Sequence, residues 1–544
     1  MPLNRFSPAR RTLLKHSGAA AAASVFGSLT ALHSRNVMAA GGKQMLPVAS
    51  PYGAPVPVND ISTGLPLLQL PPGFTYKSFG WTGDMMADGR STPSNHDGMA
   101  VVETRRVGRS TEYVLVRNHE RGLTSALATA INAPDNYSTT AANGIITVTG
   151  AQTVRVGASG TVTNPASPPP TPFTGFAGGG TTNLIFRDGN WVSATSSLGG
   201  TLGNCAGGPT PWGSWLTCEE TILDLSGIGG RRHGYVYEVD ANPADSIPDP
   251  IVGMGRFVHE AVAVDPTTGY VYETEDSRNL SAFYRYQPND TSGQTGSLGQ
   301  GGVLQAARIR SIIRQARASA NLAQANDLSL LDPDIGDEYE LEWVDIVDPD
   351  GTPTVVAGQP GGVTLGIMAG PTFEALGKGC ARMSRGEGIW YSAGKMFVVD
   401  TAAGVDGSNR PGRGEGCVWV LTLATMRLKA IYVSGNRSAG NNPDNVTVSP
   451  RGGVVLCEDG GFGDDGARLL GLNPAGEAYV FCRNTVQLSA GQIASAGKTV
   501  AAGDYRGLEF CGACFDPTGR IMFVSIQSPG ITFAISGPWA KGNL

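Results

Sequence analysis

Apolar and polar positions along this chain form short blocks of hairpin length. The clearest block covers residues 259–276, with an apolar strand, a turn at 266–269 and a returning strand rich in β-branched and aromatic residues. Glu260 stands before the first strand, and Glu273 and Glu275 lie near the end of the second. Since an antiparallel hairpin brings its outer ends together, this block predicts several carboxylates at one end of a single hairpin.

The same pattern occurs six times, at 96–120, 204–220, 259–276, 385–400, 444–459 and 509–525. The segment after most hairpins is long enough to form two further strands, as at 418–423 with 428–433 and at 468–472 with 478–482. This repetition predicts an all-β fold, a six-bladed β-propeller with four strands per blade. The last unit lacks a fourth strand, so we expect residues 74–79 to complete it and close the ring.

Two longer segments interrupt the repeats. Residues 121–183 are polar and contain a proline-rich stretch, which predicts a long loop or cap. The second segment lies between Pro288 and Arg385. Within it, residues 303–328 place Leu304, Ile309, Ile312 and Ile313 at helical spacing and predict a helix. We therefore expect small helical and loop insertions on one rim of the propeller.

The N-terminus has the pattern of a secretory leader of the twin-arginine type. Arg10 and Arg11 precede an alanine-rich segment at 18–32, and small residues at Ala39 and Ala40 offer a cleavage site. The apolar run is broken by serine, glycine and threonine and falls short of the ~20 apolar residues that a membrane span needs. We predict a leader at 1–39, an extended segment at 40–73 and one propeller domain at 74–544. The mature protein is then periplasmic or extracellular, exported by the twin-arginine machinery without a transmembrane anchor.

Charge and cysteine content narrow the possible functions. The predicted leader holds five basic residues and no acidic ones, which leaves 35 basic and 46 acidic residues and a net charge of −11. Such an acidic protein is a poor candidate for binding nucleic acid or an anionic membrane. Cys511 and Cys514 have the spacing of a redox or zinc pair, but a single pair more often consists of buried small hydrophobic residues.

Acidic residues and one cysteine occupy equivalent positions in the six hairpins. The positions before the first strands hold Asp97, Cys205, Glu260, Glu387, Asp444 and Glu509. The returning strands end near Glu120, Glu219, Glu220, Glu273, Glu275, and Glu458 with Asp459. In a propeller the first strand of each blade lines the axis, so these acids would repel one another unless cations neutralise them. Any single acid could instead cap a turn or pair with an arginine on the rim.

Ligand chemistry suggests which metals such a site would bind. Carboxylates are hard oxygen donors that favour Ca²⁺ or Mg²⁺. A thiolate such as that of Cys205 favours a transition metal such as iron or zinc. The sequence therefore predicts a mixed metal site.

Six short motifs follow one another along the chain: His-Asp-Gly-Met at 96–99, Arg-Asn-His-Glu at 117–120, Asn-Cys-Ala-Gly-Gly-Pro-Thr-Pro-Trp-Gly at 204–213, Thr-Cys-Glu-Glu at 217–220, His-Glu at 259–260 and Glu-Asp-Ser-Arg at 275–278. Taken in this order, they resemble the PhoX family of bacterial alkaline phosphatases. The resemblance implies an exported phosphomonoesterase with a six-bladed propeller and a cluster of iron (Fe³⁺) and calcium (Ca²⁺). It further implies that Cys205, Glu260 and Glu387 bind the iron, and it makes Asp97, Glu220, Glu273 and Asp444 further candidates for either metal.

Phosphate ester hydrolysis also needs cationic side chains. Arg385, close to Glu387, is the first candidate, and Arg278 and Arg121 come next, although each could form a rim ion pair. Two other functions stay open: a calcium-dependent propeller lactonase, which has no need of Cys205, and a non-catalytic secreted propeller whose metals only stabilise the ring. Iron together with calcium would favour the phosphatase, and calcium alone would favour the other two.

Overall fold

The computed structural model describes residues 42–124, 131, 137, 146–148, 155–156, 162–163, 173–226, 230–317, 321–359, 363–460 and 466–544. The predicted leader and most of the segment at 125–172 lie outside these residues. The described chain is all-β and propeller-like, with few helices. Its α-helices are Leu322–Leu328, Gly370–Gly377 and Ala490–Ser495, and its 3-10 turns are Pro243–Asp245, Val252–Met254, Ser297–Gly299 and Trp539–Lys541.

The first strand of each predicted hairpin lies innermost. These inner strands are β1 (His96–Val107), β2 (Asn204–Pro209), β3 (His259–Val264), β4 (Gly386–Ser392), β5 (Pro443–Val448) and β6 (Phe510–Phe515). Each packs against the next in chain order, and β6 packs against β1. The inner strands therefore surround a common axis.

From the inner strands, antiparallel sheets extend outward. The sheet of β1 continues through Ser110–His119, Gly179–Arg187 and Asn190–Thr201. The sheet of β2 continues through Ser214–Glu219 and Val236–Asp240. The sheet of β5 continues through Val454–Glu458, Arg468–Leu472, Ala478–Asn484, Leu68–Leu70 and Val56–Val58. The sheet of β6 continues through Ile521–Ile526, Ile531–Ser536 and Thr75–Phe79.

Strands β3 and β4 belong to one continuous sheet rather than to two separate blades. Between them run Val271–Glu275, Tyr284–Pro288, Gly302–Arg314, Glu338–Asp345, Arg427–Val433, Cys417–Thr422 and Lys395–Asp400. Each of these two units has the predicted four strands, and a ninth strand, Glu338–Asp345, pairs with the outermost strand of both. Four strands per unit is wrong for the sheet of β2, which has three strands among the described residues.

The predicted helix at 303–328 is also wrong for most of its length. Gly302–Arg314 is a long strand paired on both sides. Its pairing shifts register between Ile309 and Ser311 and again between Ile312 and Arg314. These irregularities interrupt the two-residue alternation of side chains that is typical of a strand. The apolar residues therefore have a spacing that resembles that of a helix.

The N-terminal segment contributes more than irregular chain. Val56–Val58 and Leu68–Leu70 form a hairpin that extends the sheet of β5, and Leu68 and Leu70 are fully buried. Thr75–Phe79 pairs with Ile531–Ser536, so the prediction that the N-terminal strand completes the last unit is confirmed.

The remaining strands are short or lie in the insertions. They are Leu123–Thr124, Ile146–Val148, Arg155–Val156, Val162–Thr163, Phe173–Ala177, Thr354–Gln359, Val363–Met368, Gln487–Leu488 and Gly503–Asp504. All eight cysteines are buried with free thiols, so Cys511 and Cys514 do not form a disulfide. None of the helices in the described part of the chain is long and apolar enough to cross a membrane.

Candidate metal centre

The predicted site residues lie at the N-terminal ends of the inner strands. Asp97, Cys205, Glu260, Glu387 and Asp444 are each the second residue of their strand. Glu509 directly precedes the sixth strand, β6. Since the strands surround one axis, these side chains meet at one mouth of the channel between them.

A β-bulge lies at this position in each of the first five inner strands. The pairing shifts between His96 and Met99, Asn204 and Gly207, His259 and Val262, Gly386 and Ile389, and Pro443 and Val446. In β6 the shift comes one residue later, between Cys511 and Cys514. A bulge leaves residues unpaired and re-aims their side chains, so the site residue in each of the first five inner strands is freed from the pairing with its neighbour, whereas Glu509 precedes the bulge in β6.

A second set of residues comes from the returning strands. The residue directly after each returning strand, here called the exit residue, is Glu120, Glu220, Asp276, Thr401, Asp459 or Gln527. The residue just before each exit residue pairs with the first residue of the inner strand. Because side chains alternate along a strand, neighbouring acids at these ends point in opposite directions.

Inner-strand residues and exit residues together form three linked groups. The groups are Cys205, Glu220 and Glu260; Glu260, Glu387 and Asp444; and Asp444, Asp459 and Glu509. Within each group, ligand atoms of the three residues lie within 4.8 Å of one another. Glu260 and Asp444 each belong to two groups, so seven residues form one continuous chain of donors.

Burial gives this centre unusual electrostatics. Both carboxylate oxygens of Glu260 and one of Asp97 are buried without a hydrogen-bond partner. Burial raises the pKa of Glu260 well above its usual range, and the carboxylates of Asp444 and Asp97 raise it further. Burial and the nearby Asp459 raise the pKa of both Glu120 and Asp444 to about 7. Acids in such an environment are either protonated or neutralised by a cation.

Cys205 lies in the same environment. Burial raises the pKa of its thiol well above the ordinary value, and the carboxylates of Asp97 and Glu260 add to the effect. A metal ion bound there would displace the thiol proton, since the thiolate is the ligand. With unpartnered buried oxygens and one sulfur converging on one mouth, the donor set fits polyvalent cations of both hard and soft type.

Four of the proposed metal ligands point into the body of the sheets instead. Glu219 accepts hydrogen bonds from the backbone of Leu202 and Gly234 and lies 2.6 Å from His233 Nδ1. Glu275 accepts from Thr372 Oγ1 at 2.6 Å and from the Ala282 backbone at 3.1 Å. These carboxylates therefore already have partners away from the centre.

Glu458 and Glu273 are similar. Glu458 receives two hydrogen bonds from Arg468, at 2.7 and 2.6 Å. Glu273 lies 3.1 Å from His259 Nε2. None of these four acids belongs to the groups whose ligand atoms converge.

Asp459 was predicted in the second ring together with Glu458, whereas Asp276 and Gln527 also contact the centre but were not placed in either ring. Asp276 and Asp459 each directly follow an acid that was placed in the second ring. Successive side chains along a strand point to opposite faces, so an alignment of the hairpins indicates which acid of each neighbouring pair faces the axis. It indicates Asp276 rather than Glu275, and Asp459 rather than Glu458. For Gln527 the sequence carries no comparable signal, because it is neutral.

The three candidate arginines lie in different surroundings. Arg385 donates to both oxygens of Asp276, at 2.9 and 3.1 Å, and lies 2.9 Å from Glu387. Burial acts to lower its pKa, but Glu387 and Asp276 outweigh burial and raise it. Arg385 also has a φ of +63°, a conformation that residues other than glycine rarely adopt. It is thus held rigidly at the centre, with 19% of its side chain exposed.

Arg278 and Arg121 lie further out. Arg278 donates to the Gly412 carbonyl at 3.4 Å, and burial together with the nearby Arg385 lowers its pKa. Arg121 donates to Ser94 Oγ and, at 3.2 Å, to Asn95 Oδ1. Arg278 therefore borders Arg385, whereas Arg121 is tied to the loop before β1.

Comparison with known proteins adds independent information. A family model described as alkaline phosphatase PhoX matches residues 51–530. A solved structure of PhoX from Pseudomonas fluorescens, in complex with vanadate, a transition state analogue, is 16% identical, covers 92% of this chain and 99% of that chain, and has a TM-score of 0.54. A gluconolactonase from Xanthomonas campestris is 13% identical over 65% of this chain and 78% of its own, with a TM-score of 0.29. A search among curated proteins finds no match.

Proposed function

This chain belongs to the PhoX family of alkaline phosphatases, and from that membership we propose that it hydrolyses phosphate monoesters at a mixed iron and calcium centre, releasing inorganic phosphate. The observation that carries the proposal is the chain of seven converging donors, of which Glu260 has both oxygens buried without a partner. Carboxylates in that state need a neutralising cation.

The donor types suggest how the metals are shared. Cys205, Glu220, Glu260 and Glu387 would hold iron (Fe³⁺), because Glu220 and Glu260 converge with the sulfur ligand Cys205 and Glu387 converges with Glu260. The all-oxygen side with Asp97, Glu120, Asp444, Asp459 and Glu509 would hold calcium (Ca²⁺). Bound there, such cations would neutralise phosphoryl charge and make water nucleophilic near neutral pH.

Arg385 is the chain's own contribution to binding the phosphoryl group. Its contacts with Asp276 and Glu387 fix the plane of the guanidinium beside the converging acids, so a phosphoryl group bound there would meet a positive charge held in one orientation. Arg278 beside it adds a second positive charge at the same side of the mouth. Arg121, hydrogen-bonded to the loop before β1, borders the mouth near Glu120.

We propose six blades and export as further properties of this enzyme. Six inner strands that pack in a closed order support the blade count, although two outer regions share one sheet. The Arg10-Arg11 pair and the apolar segment after it support a leader at 1–39 and twin-arginine export to the periplasm or beyond. An extended segment at 40–73 and a catalytic domain at 74–544 would then form the mature protein.

A paired assay tests the proposed activity. Purified protein should hydrolyse p-nitrophenyl phosphate, lose that activity when calcium is chelated, and recover it when calcium is returned. Gluconolactone supplied in the same buffers should not be hydrolysed above background. Calcium-dependent lactone hydrolysis without phosphatase activity would contradict the proposal in favour of a lactonase, and inactivity on both substrates would favour a binding protein.

A further inference from the structure

The exit residue of the sixth hairpin differs in chemistry from its equivalents. Glu120, Glu220, Asp276 and Asp459 are acids and Thr401 carries a hydroxyl, whereas Gln527, which follows the returning strand Ile521–Ile526, carries an amide. A neutral amide therefore stands where four other hairpins carry a carboxylate.

The amide nitrogen of Gln527 contacts three carboxylates at once. Its two N–H groups are shared among three acceptors, Asp97 Oδ2 at 3.2 Å, Glu120 Oε2 at 2.8 Å and Glu509 Oε1. Asp97 and Glu120 come from the first hairpin, and Glu509 comes from the sixth. One side chain thus joins the acids on both sides of the seam where the first and last units meet.

The backbone of Gln527 lies in the same seam. Its N–H donates to the Glu509 carbonyl at 3.2 Å, and its carbonyl accepts from the His96 N–H at 3.2 Å. These hydrogen bonds hold the main chain of Gln527 against β1 and the start of β6. The side-chain amide therefore extends from a fixed backbone position. The position of the side chain is therefore a consequence of how the ring closes.

Three carboxylates that face one point repel one another and adopt no fixed orientation unless a donor or cation holds them. An amide group supplies N–H donors without adding charge. An acid at this position would add a fourth negative charge, and an apolar residue would leave the three acids without a shared donor. One oxygen of Asp97 is buried without a partner, so its hydrogen bond to Gln527 leaves that oxygen available to a ligand.

We propose that Gln527 is a positioning residue of the metal centre, which orients Asp97, Glu120 and Glu509 for calcium across the seam of the ring. The inference rests on the proposed function, because it assumes that these acids bind cations. Gln527 acts through the three carboxylates and has no direct part in the reaction.

Calcium titration of metal-depleted protein tests the role. Gln527→Met keeps the length of the side chain but removes the donor, so calcium should bind roughly 10-fold or more weakly by isothermal titration calorimetry. Gln487→Met, at an exposed glutamine, is the matched control and should bind calcium as the wild type does. Equal affinity in Gln527→Met and wild type would overturn the inference. Wild-type protein that binds no calcium would overturn the proposed function, and this inference with it.

A second variant guards against a folding defect in the first. Gln527→Glu has the same shape but replaces the donor with a negative charge. Its unfolding temperature should fall more in the metal-depleted protein than in the calcium-loaded protein, because calcium neutralises the added charge. An equal fall in both states would mean a purely structural residue and would overturn the inference.

Discussion

Cys205 is the one sulfur donor in the converging groups of the described chain, which makes it the residue that most clearly separates the two metal types. We expect Cys205→Ala to lose the transition metal and about 100-fold or more of the hydrolysis of p-nitrophenyl phosphate. Its far-UV circular dichroism should stay that of a folded β protein. Elemental analysis and a phosphatase assay check both statements.

Cys482→Ala is the matched control for this change. Cys482 is also fully buried, but it lies in the strand Ala478–Asn484, outside the converging groups. It should lose a similar amount of stability and keep its metals and activity. Full turnover in Cys205→Ala would remove Cys205 from the mechanism.

Arg385 contributes geometry as well as charge. Lysine in its place keeps the charge but cannot contact both oxygens of Asp276 in the same plane. We expect Arg385→Lys to lower kcat/KM roughly 100-fold, or about 2.7 kcal/mol in transition-state binding. Arg410→Lys, in an exposed ion pair with Asp406, should leave kcat/KM unchanged. An Arg385→Lys enzyme with wild-type kcat/KM would show that the planar geometry of the guanidinium does not contribute to transition-state binding.

At the residue scale, the sequence could predict which positions come together at the channel mouth but not the direction of every side chain. Glu260 and Asp444 were predicted as ligands because the same position repeats in the other hairpins. Glu219 and Glu220 are adjacent acids, and only the pairing of the strands decides which of them faces the axis. The partners that engage Glu219, such as Leu202 and His233, lie just outside its hairpin, so the pattern within the hairpin does not reveal them.

The inner strands approach one another so closely that some positions admit only glycine. A Cβ at Gly388 in β4 would lie 2.7 Å from the Val446 nitrogen and 2.8 Å from the Asp444 carbonyl oxygen in β5. Gly388→Ala would push back the backbone that carries Asp444, so we expect a loss of about 2–4 kcal/mol in the free energy of unfolding and weaker metal binding. Urea unfolding and metal titration measure the two effects.

Gly377→Ala provides the control for Gly388→Ala. Gly377 ends the helix Gly370–Gly377, and an added Cβ there meets no atom within 4 Å. Its unfolding free energy should change by less than about 0.5 kcal/mol. If the two substitutions had equal effects, close packing of the inner strands would not be what positions Asp444.

At the element scale, hairpins are predictable because each is specified locally by alternation and turn residues. Bulges are not, since a shift such as that between His259 and Val262 is defined by the partner strand. The strand Gly302–Arg314 shows the same limitation, because its bulges imitate helical spacing.

The whole molecule concentrates acidic groups in one buried place, which links its stability to pH. In the metal-free protein burial and Asp459 raise the pKa of Glu120 and Asp444 to about 7, above the ~4 of the unfolded chain. The folded state therefore binds more protons than the unfolded state, and stability falls as pH rises from about 4 towards 8. We expect the metal-depleted protein to lose on the order of a few kcal/mol across this window.

Thermal unfolding with and without calcium checks this dependence. The unfolding temperature of the metal-depleted protein should drop between pH 5 and pH 8, and added calcium should raise it more at pH 8 than at pH 5. A metal-depleted protein that becomes more stable towards pH 8 would show that the acids are not held together in the folded state.

Closure of the ring could be predicted at the scale of the whole molecule, because the last unit lacked a strand that the N-terminal segment supplied. The shared sheet of β3 and β4 could not, since it depends on Glu338–Asp345 pairing with strands from two units. The convergence of the acids follows from closure: strands that begin at one mouth bring their second residues to the same point.

The most direct test of this convergence is the metal content of active protein. Enzyme purified without chelators should contain iron and calcium together by elemental analysis, and its phosphatase activity should follow their removal and return. A fully active sample that contains no polyvalent cation would contradict the account, because the buried carboxylates around Glu260 would then have to be stable and catalytic without one.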